Sequence, residues 1–262
     1  MSALNAEVSG RGRRDLVLLH GWGMNLRVWD GLAESLARRF RVIAIDLPGH
    51  GRSDWDGVTY TQAAQTFRVH ETLAPLTTRY LLLGWSLGGQ FALDLAAAMP
   101  AGIERLILVA TTPRFLAGPG WRFGVKEASL ERLAAQVRAD PTEAVKGFIR
   151  QQVRGLARRT TAQVLSRLTR ALTQGGAAHP EALRWGLERL RQGDLRMQLS
   201  QVRAPTLVIA GQDDRITPPG ASRALAAALP KGSFRQLRGA GHVPFLSNRD
   251  QFLAALEGFL RA

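Results

Sequence analysis

Gly84-Trp85-Ser86-Leu87-Gly88 sets a serine between two glycines in the pattern G-x-S-x-G. An apolar run at residues 80–83 precedes it and a helical pattern at 87–99 follows. Strand, sharp turn, helix is the context in which such a serine is a projecting nucleophile. A turn that tight leaves no room for side chains beside the serine, and Gly84 and Gly88 supply the space. A helix N-terminus behind the hydroxyl also favours negative charge developing nearby.

A serine nucleophile needs a base, and the chain offers five histidines. His70 lies in a helical pattern, His179 precedes Pro180, His50 sits in the turn Pro48-Gly-His-Gly51, and His20 ends the first apolar run. His242 lies in Gly239-Ala-Gly-His-Val-Pro-Phe245, after the last expected strand at 233–237, where a loop can reach back over a sheet edge. His242 is therefore the expected base. An acid belongs between serine and histidine in chain order. Residues 206–210 form an apolar run that ends in Gly211-Gln-Asp213-Asp214. Spacing alone leaves both aspartates open. Acyl transfer also requires fixed N–H donors for an oxyanion. The backbone of Leu87 is one candidate. Trp22 in Leu19-His20-Gly21-Trp22-Gly23 is the other, because its flanking glycines let the chain bend.

These groups need a scaffold. Apolar runs at 16–19, 42–45, 80–83, 106–110 and 206–210 read as strands of a parallel sheet covered on both faces. Helical patterns at 27–39, 61–76, 87–99, 219–229 and 251–260 alternate with them. The expected fold class is α/β, a mostly parallel, doubly wound sheet. The rhythm breaks across 113–193, which carries helical patterns only. Residues 1–112 and 194–262 are thus expected to form the core and 113–193 an inserted helical lid, with 116–120 as its hinge.

The chain has 262 residues, 45% of them apolar, enough for a large core without staples. It has no cysteine, which excludes disulfides, thiolate zinc sites and a cysteine nucleophile. No apolar run approaches the ~20 residues of a membrane span, and the first 14 residues lack a hydrophobic signal segment. A cytoplasmic location is expected.

The formal net charge is +14, with 35 basic residues of which only Lys126, Lys146 and Lys231 are lysines. Such a balance suggests an anionic partner (nucleic acid, acidic membrane or acidic protein) or a bias toward arginine codons. Position discriminates. Residues 113–200 hold 16 basic and 7 acidic side chains, so nine of the fourteen net charges fall there. Asp140-Pro-Thr-Glu143 reads as a capping box opening a helix. Val145, Phe148, Ile149, Gln152, Val153 and Leu156 continue it as one face, and Lys146, Arg150, Arg154 and Arg158 recur every four residues as a second stripe. Like charges at that spacing cost ~0.2–0.5 kcal/mol per pair, so the stripe is expected to meet an outside anion.

Taken together, His20-Gly-Trp-Gly23, Asp46-Leu-Pro-Gly-His-Gly-Arg-Ser53, Gly84-Trp-Ser-Leu-Gly-Gly89, Gly211-Gln-Asp-Asp214 and Gly241-His-Val-Pro-Phe245 resemble the α/β-hydrolase family. Within it the chain is most similar to the esterases of pimeloyl-[acyl-carrier-protein] methyl ester in biotin synthesis. Trp85, Trp22, Thr111-Thr-Pro113 and the segment from Gly186 to Arg196 are the pointers. The resemblance implies ester hydrolysis through an acyl-enzyme, with Ser86, Asp214 and His242 catalytic and no metal or cofactor. It selects Asp214, four residues before Pro218, over Asp213. It places the oxyanion at Trp22 and Leu87. It assigns the substrate to Trp22, Ser86, Leu87, His242 and the run Phe148, Ile149, Arg150, Gln151 and Gln152. It also gives the basic stripe Lys146, Arg150, Arg154 and Arg158 an occupant, an acidic acyl-carrier protein. A short-chain carboxylesterase or C–C bond hydrolase uses the same machinery, since substrate choice lives in pocket and lid. A non-catalytic binding protein on this scaffold is opposed by the complete set of catalytic residue types. Nucleic-acid binding is opposed because no nucleic-acid motif appears. No membrane partner is expected, and the chain is read as a monomer.

Overall fold

The structure is a computed structural model that describes residues 3–56 and 61–261. Seven strands form one sheet: β1 (Ala6–Ser9), β2 (Arg14–Leu19), β3 (Phe40–Ile45), β4 (Tyr80–Trp85), β5 (Ile103–Val109), β6 (Thr206–Gly211) and β7 (Gly232–Leu237). Their spatial order is β1-β3-β2-β4-β5-β6-β7, and every pairing is parallel except β1 with β3. The doubly wound, mostly parallel sheet is as the apolar runs require. Leu16 to Leu19, Leu81 to Leu83 and Leu106 to Val109 are fully buried, since helices cover both faces. The edge strand β1 was not expected. Its four residues alternate weakly and half remain exposed.

The core helices are α1 (Asp30–Leu36), α2 (Gln62–Leu73), α3 (Leu87–Ala98), α8 (Pro219–Ala228), the single turn α9 (Pro244–Ser247) and α10 (Arg249–Arg261). The helix expected at 27–39 is instead a 3-10 turn, Leu26–Trp29, followed by α1. Between β5 and β6 the chain makes α4 (Glu127–Ala139), α5 (Pro141–Gln152), α6 (Arg158–Gly175) and α7 (Pro180–Gln192). None of the helices among the described residues is long and apolar enough to cross a membrane.

Three sequence expectations are filled in or changed here. Residues 116–120, the expected hinge, carry backbone hydrogen bonds of their own. Gly118 and Trp121 exchange both backbone hydrogen bonds, and Ala117 N–H donates to Val125, giving a small pinned hairpin. The capping box is half formed. Asp140 accepts from the Glu143 N–H at 3.0 Å, while the Glu143 carboxylate turns to Lys146 Nζ at 2.7 Å. The basic stripe is also not one helix. Helix α5 ends at Gln152, Gly155 adopts φ +88°, and α6 starts afresh at Arg158. Lys146 and Arg150 lie on α5, Arg154 on the turn and Arg158 at the first position of α6. Lys146 also has a carboxylate partner, so its charge is not left wholly for an outside anion.

Two buried joints fix the loops at the carboxyl edge of the sheet. On one side Asp94 of α3 receives Arg189 of α7, two hydrogen bonds from Gln62 Nε2, and one from Thr66 Oγ1. The guanidinium lies 4.3 Å from the centre of the Phe91 ring. On the other side, two imidazoles stand 5.3 Å apart behind the first loop. His20 Nε2 accepts the Leu47 N–H and its Nδ1–H donates to Gly21 O. His50 Nε2 accepts the Gly23 N–H and its Nδ1–H donates to Pro48 O. Burial holds the His20 imidazole down to about 4. Burial, reinforced by the neighbouring His20, holds His50 down to about 3. Both are therefore neutral and serve as acceptors that an imidazolium could not provide.

The unfolded chain protonates these histidines below the ordinary imidazole value of 6.5, whereas the folded chain resists until about 4 and 3. Stability present above 6.5 is thus expected to fall steadily as acidity rises through that window. Urea unfolding at pH 7, 6, 5 and 4.5 should show a declining midpoint, and His50→Gln should make the decline shallower.

Candidate active site

The strand-to-helix turn brings Ser86 to φ +55° and ψ −117°, a conformation a side-chain-bearing residue rarely adopts. Neighbouring strands hold it there. The Ser86 N–H donates to Val109 O at 2.9 Å, and Thr111 Oγ1 donates to Ser86 O at 2.7 Å. The flanking glycines are obligatory for a reason beyond local flexibility. A Cβ on Gly84 would lie 2.4 Å from Gly88 O, and a Cβ on Gly88 would lie 2.3 Å from Leu19 O at the end of β2.

The hydroxyl faces the expected histidine. His242 Nε2 lies 3.1 Å from Ser86 Oγ, and His242 Nδ1 lies 2.9 Å from Asp214 Oδ2. An ionised carboxylate only accepts, so Nδ1 carries the hydrogen and Nε2 is free to accept from the serine. Asp214 is fully satisfied. Its Oδ1 accepts from the N–H groups of Ile216 at 2.8 Å and Thr217 at 3.0 Å, and its Oδ2 also accepts from Thr217 Oγ1 at 2.7 Å. Asp213, the alternative that spacing left open, is exposed, and its N–H bonds Ala240 O. Trp85, the residue before the nucleophile, donates its indole N–H to His242 O at 2.9 Å and lays its ring beside the imidazole. The strand thus carries both the serine and the prop for its base. Neither Thr217 nor this use of Trp85 was read from the sequence. Only the Asp-x-x-Thr spacing carried a signal, since a short acceptor side chain bonds backbone groups two and three residues on.

The first loop passes directly over the serine. A Cβ on Gly21 would lie 3.3 Å from Ser86 Cβ. Gly21 O accepts from the Met24 N–H, and Gly23 has φ +69°, so Trp22 sits at the crest of a tight turn. Among the described residues the Trp22 N–H has no partner within the chain. Leu87 is the first residue of α3, so its N–H lacks an acceptor within the helix. Two unspent donors thus belong to the residue after the serine and to the loop that passes over it.

A cavity of about 380 Å³ opens from Ser86 and Trp22. Phe115, Val125, Leu130, Leu133, Phe148, Leu187, Leu190 and Ile216 give it apolar walls. Arg132, Arg154, Arg215, Gln136 and Gln151 line it while remaining exposed, which puts them at its outer edge. Of the run Phe148 to Gln152, Phe148 and Gln151 line this cavity, and the Phe148 ring meets Trp22 edge-on at 5.1 Å. They are three residues apart and share a helix face. Ile149 and Gln152 are buried away from it, and Arg150 points outward. Lys146 and Arg158 are exposed and also lie outside it. Among the described residues no group of three metal-ligating side chains converges.

Comparison with known proteins agrees with this geometry. Residues 16–249 match the family described by the alpha/beta hydrolase fold. A pimeloyl-[acyl-carrier protein] methyl ester esterase from Nitrosomonas europaea is 38% identical over 98% of this chain and 99% of its own length. The esterase of the same name from Edwardsiella ictaluri is 39% identical over 98% of this chain and 96% of its own. The crystal structure of a hydrolase from Pseudomonas aeruginosa superposes with a TM-score of 0.82 at 30% identity, covering 98% of this chain and 94% of that one. With a family match spanning nearly the whole chain, and a serine, an imidazole and a carboxylate in line at the carboxyl edge of its sheet, this protein belongs to the α/β-hydrolase family.

Proposed function

We propose that this protein is a serine carboxylesterase that hydrolyses pimeloyl-[acyl-carrier protein] methyl ester to the free carboxylate and methanol. One observation carries the reading: the Ser86–His242–Asp214 relay, at 3.1 and 2.9 Å, presents Ser86 to a cavity with apolar walls and an arginine-rich outer edge. The names of relatives at 38% and 39% identity supply the substrate.

Ser86 Oγ attacks the ester carbonyl as His242 Nε2 takes its proton. Asp214 keeps the imidazole in its tautomer and stabilises the imidazolium. The N–H groups of Trp22 and Leu87 receive the oxyanion, where fixed donors in a dry site are worth most. His242 then protonates the departing methoxide. A water deprotonated by His242 attacks the acyl-enzyme, and the same donors stabilise the second oxyanion before Ser86 leaves with the proton.

Helices α4 to α7, within residues 113–193, act in this reading as a lid over the core formed by 1–112 and 194–262. The apolar walls take the acyl methylenes, with the methyl ester at Ser86 and the carrier-linked end at the arginine edge. Arg150, Arg154 and Arg158, with Arg132 and Arg215, then face an acidic carrier. The break after α5 does not remove this surface. It distributes the charges over a helix, a turn and a second helix start.

Ser86→Ala should abolish turnover and fluorophosphonate labelling while circular dichroism stays unchanged. Asp214→Asn should lower kcat by about 10³–10⁴ through loss of the correct tautomer. Asp213→Asn should stay within about twofold on the same assay, since that side chain faces solvent.

Reversing Arg150 and Arg158 to Glu together should raise KM for the carrier-bound ester by about tenfold, the scale of lost electrostatic steering at an interface edge. KM for p-nitrophenyl acetate should not change. Parallel steady-state measurements on both esters check this, and equal effects on the two would refute carrier docking at this surface.

A further inference from the structure

The turn that carries Trp22 is held at three points, and two of them belong to the inserted helices. The Gly23 N–H is fixed by His50 in the core. The Trp22 indole N–H donates to Leu183 O of α7 at 2.9 Å. The third tie is Asn25, whose side chain is wholly buried. Asn25 Nδ2 donates to Ala171 O at 3.0 Å and to Gly176 O at 2.9 Å, both at the end of α6. Asn25 Oδ1 accepts from the Arg27 N–H at 3.0 Å and so caps the 3-10 turn behind Trp22. All the hydrogen-bonding groups of the amide are engaged. The fit is close as well as polar, since a Cβ on Gly175 would lie 2.4 Å from the Asn25 amide.

Helix ends leave carbonyls without intrahelical donors. The C-cap residue of α6, Gly176, finds the donor for its carbonyl in a residue three positions from the oxyanion crest, and Ala171 O shares the same amide. The backbone of residues 22 to 25 is one short turn, so a displacement of the α6 end is passed to the Trp22 N–H with little slack. An oxyanion donor displaced by about 1 Å forfeits much of its effect on rate.

We infer that Asn25 is a positioning residue that makes the oxyanion hole dependent on the seating of α6 and α7: it aims the Trp22 N–H through the lid and touches neither substrate nor nucleophile. The inference rests on the serine-esterase reading above. Substrate that settles α4 to α7 thereby completes the hole as well as filling the pocket.

The test uses Asn25→Asp, which keeps the size and the Oδ1 acceptor but sets a carboxylate against the Ala171 and Gly176 carbonyls. With p-nitrophenyl acetate, an ester too short to lean on the lid, kcat should fall by about 10- to 100-fold. The phosphonylation rate of Ser86 should fall in parallel, because that reaction also places an oxygen in the hole. KM should stay within about twofold, and the fall in kcat should persist when rates are normalised to the fraction of Ser86 that labels at completion, which removes the contribution of unfolded enzyme. A folded variant with kcat near wild type overturns the inference.

Because that variant can fail to fold, hydrogen exchange on the wild-type protein provides an independent arm. A fluorophosphonate adduct on Ser86 should slow amide exchange at residues 20–27 and at 171–178 together. Slowing at 20–27 alone overturns the coupling while leaving the esterase reading intact. Failure of Ser86 to label at all refutes the esterase reading itself.

Discussion

The backbone of Ser86 is the constraint around which the rest is arranged. A left-handed serine between strand and helix is unfavourable by ~1–3 kcal/mol and persists only when its surroundings over-determine it. Here β5 accepts its N–H, Thr111 donates to its carbonyl, and the carbonyls at the end of β2 leave no room for any side chain at Gly88. These contacts require β2, β4 and β5 to lie side by side in parallel, as they do. The same adjacency delivers the loop after β2 to one flank of the hydroxyl. Two strands further along, β6 delivers Asp214 and β7 delivers His242 to the other.

Three buried histidines cluster at this sheet edge, and their neighbours divide their work. His20 and His50 face backbone groups, and burial keeps them neutral as passive acceptors and donors. His242 is the one of the three with a carboxylate at hydrogen-bond distance, 2.9 Å from its Nδ1, whereas the Asp46 carboxylate stands 4.0 Å from His20 Nε2. The arginines show a similar division. Arg189 is buried against Asp94 and Phe91 and anchors α7, whereas Arg132, Arg154 and Arg215 stay in water at the cavity edge. Position, not residue type, separates a structural cation from one available to a partner.

Much of this was legible in the chain itself, because buried parallel strands are unbroken apolar runs and the serine turn has glycines at fixed offsets. Ser86, His242 and the pair Asp213/Asp214 could be named from those cues. Choosing Asp214 needed either a family resemblance or the folded loop, in which only one of the two neighbours turns inward to meet three local donors. The boundary between α5 and α6 was missed because Val153 and Leu156 prolong the helical spacing across Gly155, where the backbone reverses. Strand β1 was missed because four half-exposed residues carry almost no periodic signal. The roles of Asn25 and Trp85 were illegible for a different reason. Their partners lie 146 and 157 residues away, and no local pattern encodes them.

The inserted helices meet the Trp22 turn through main-chain oxygens, those of Leu183, Ala171 and Gly176. A carbonyl is common to all amino acids, so replacing the side chains of α6 and α7 leaves these acceptors in place. Gly175, Gly176 and Gly186 are restricted, since a methyl group at 175 or 186 would run into Asn25 or the Trp22 indole and Gly176 adopts φ +94°. The remaining surface of these helices is free to diverge in shape and polarity. A lineage built on this arrangement can change what it accepts as substrate by ordinary point replacements while the chemistry beneath stays intact.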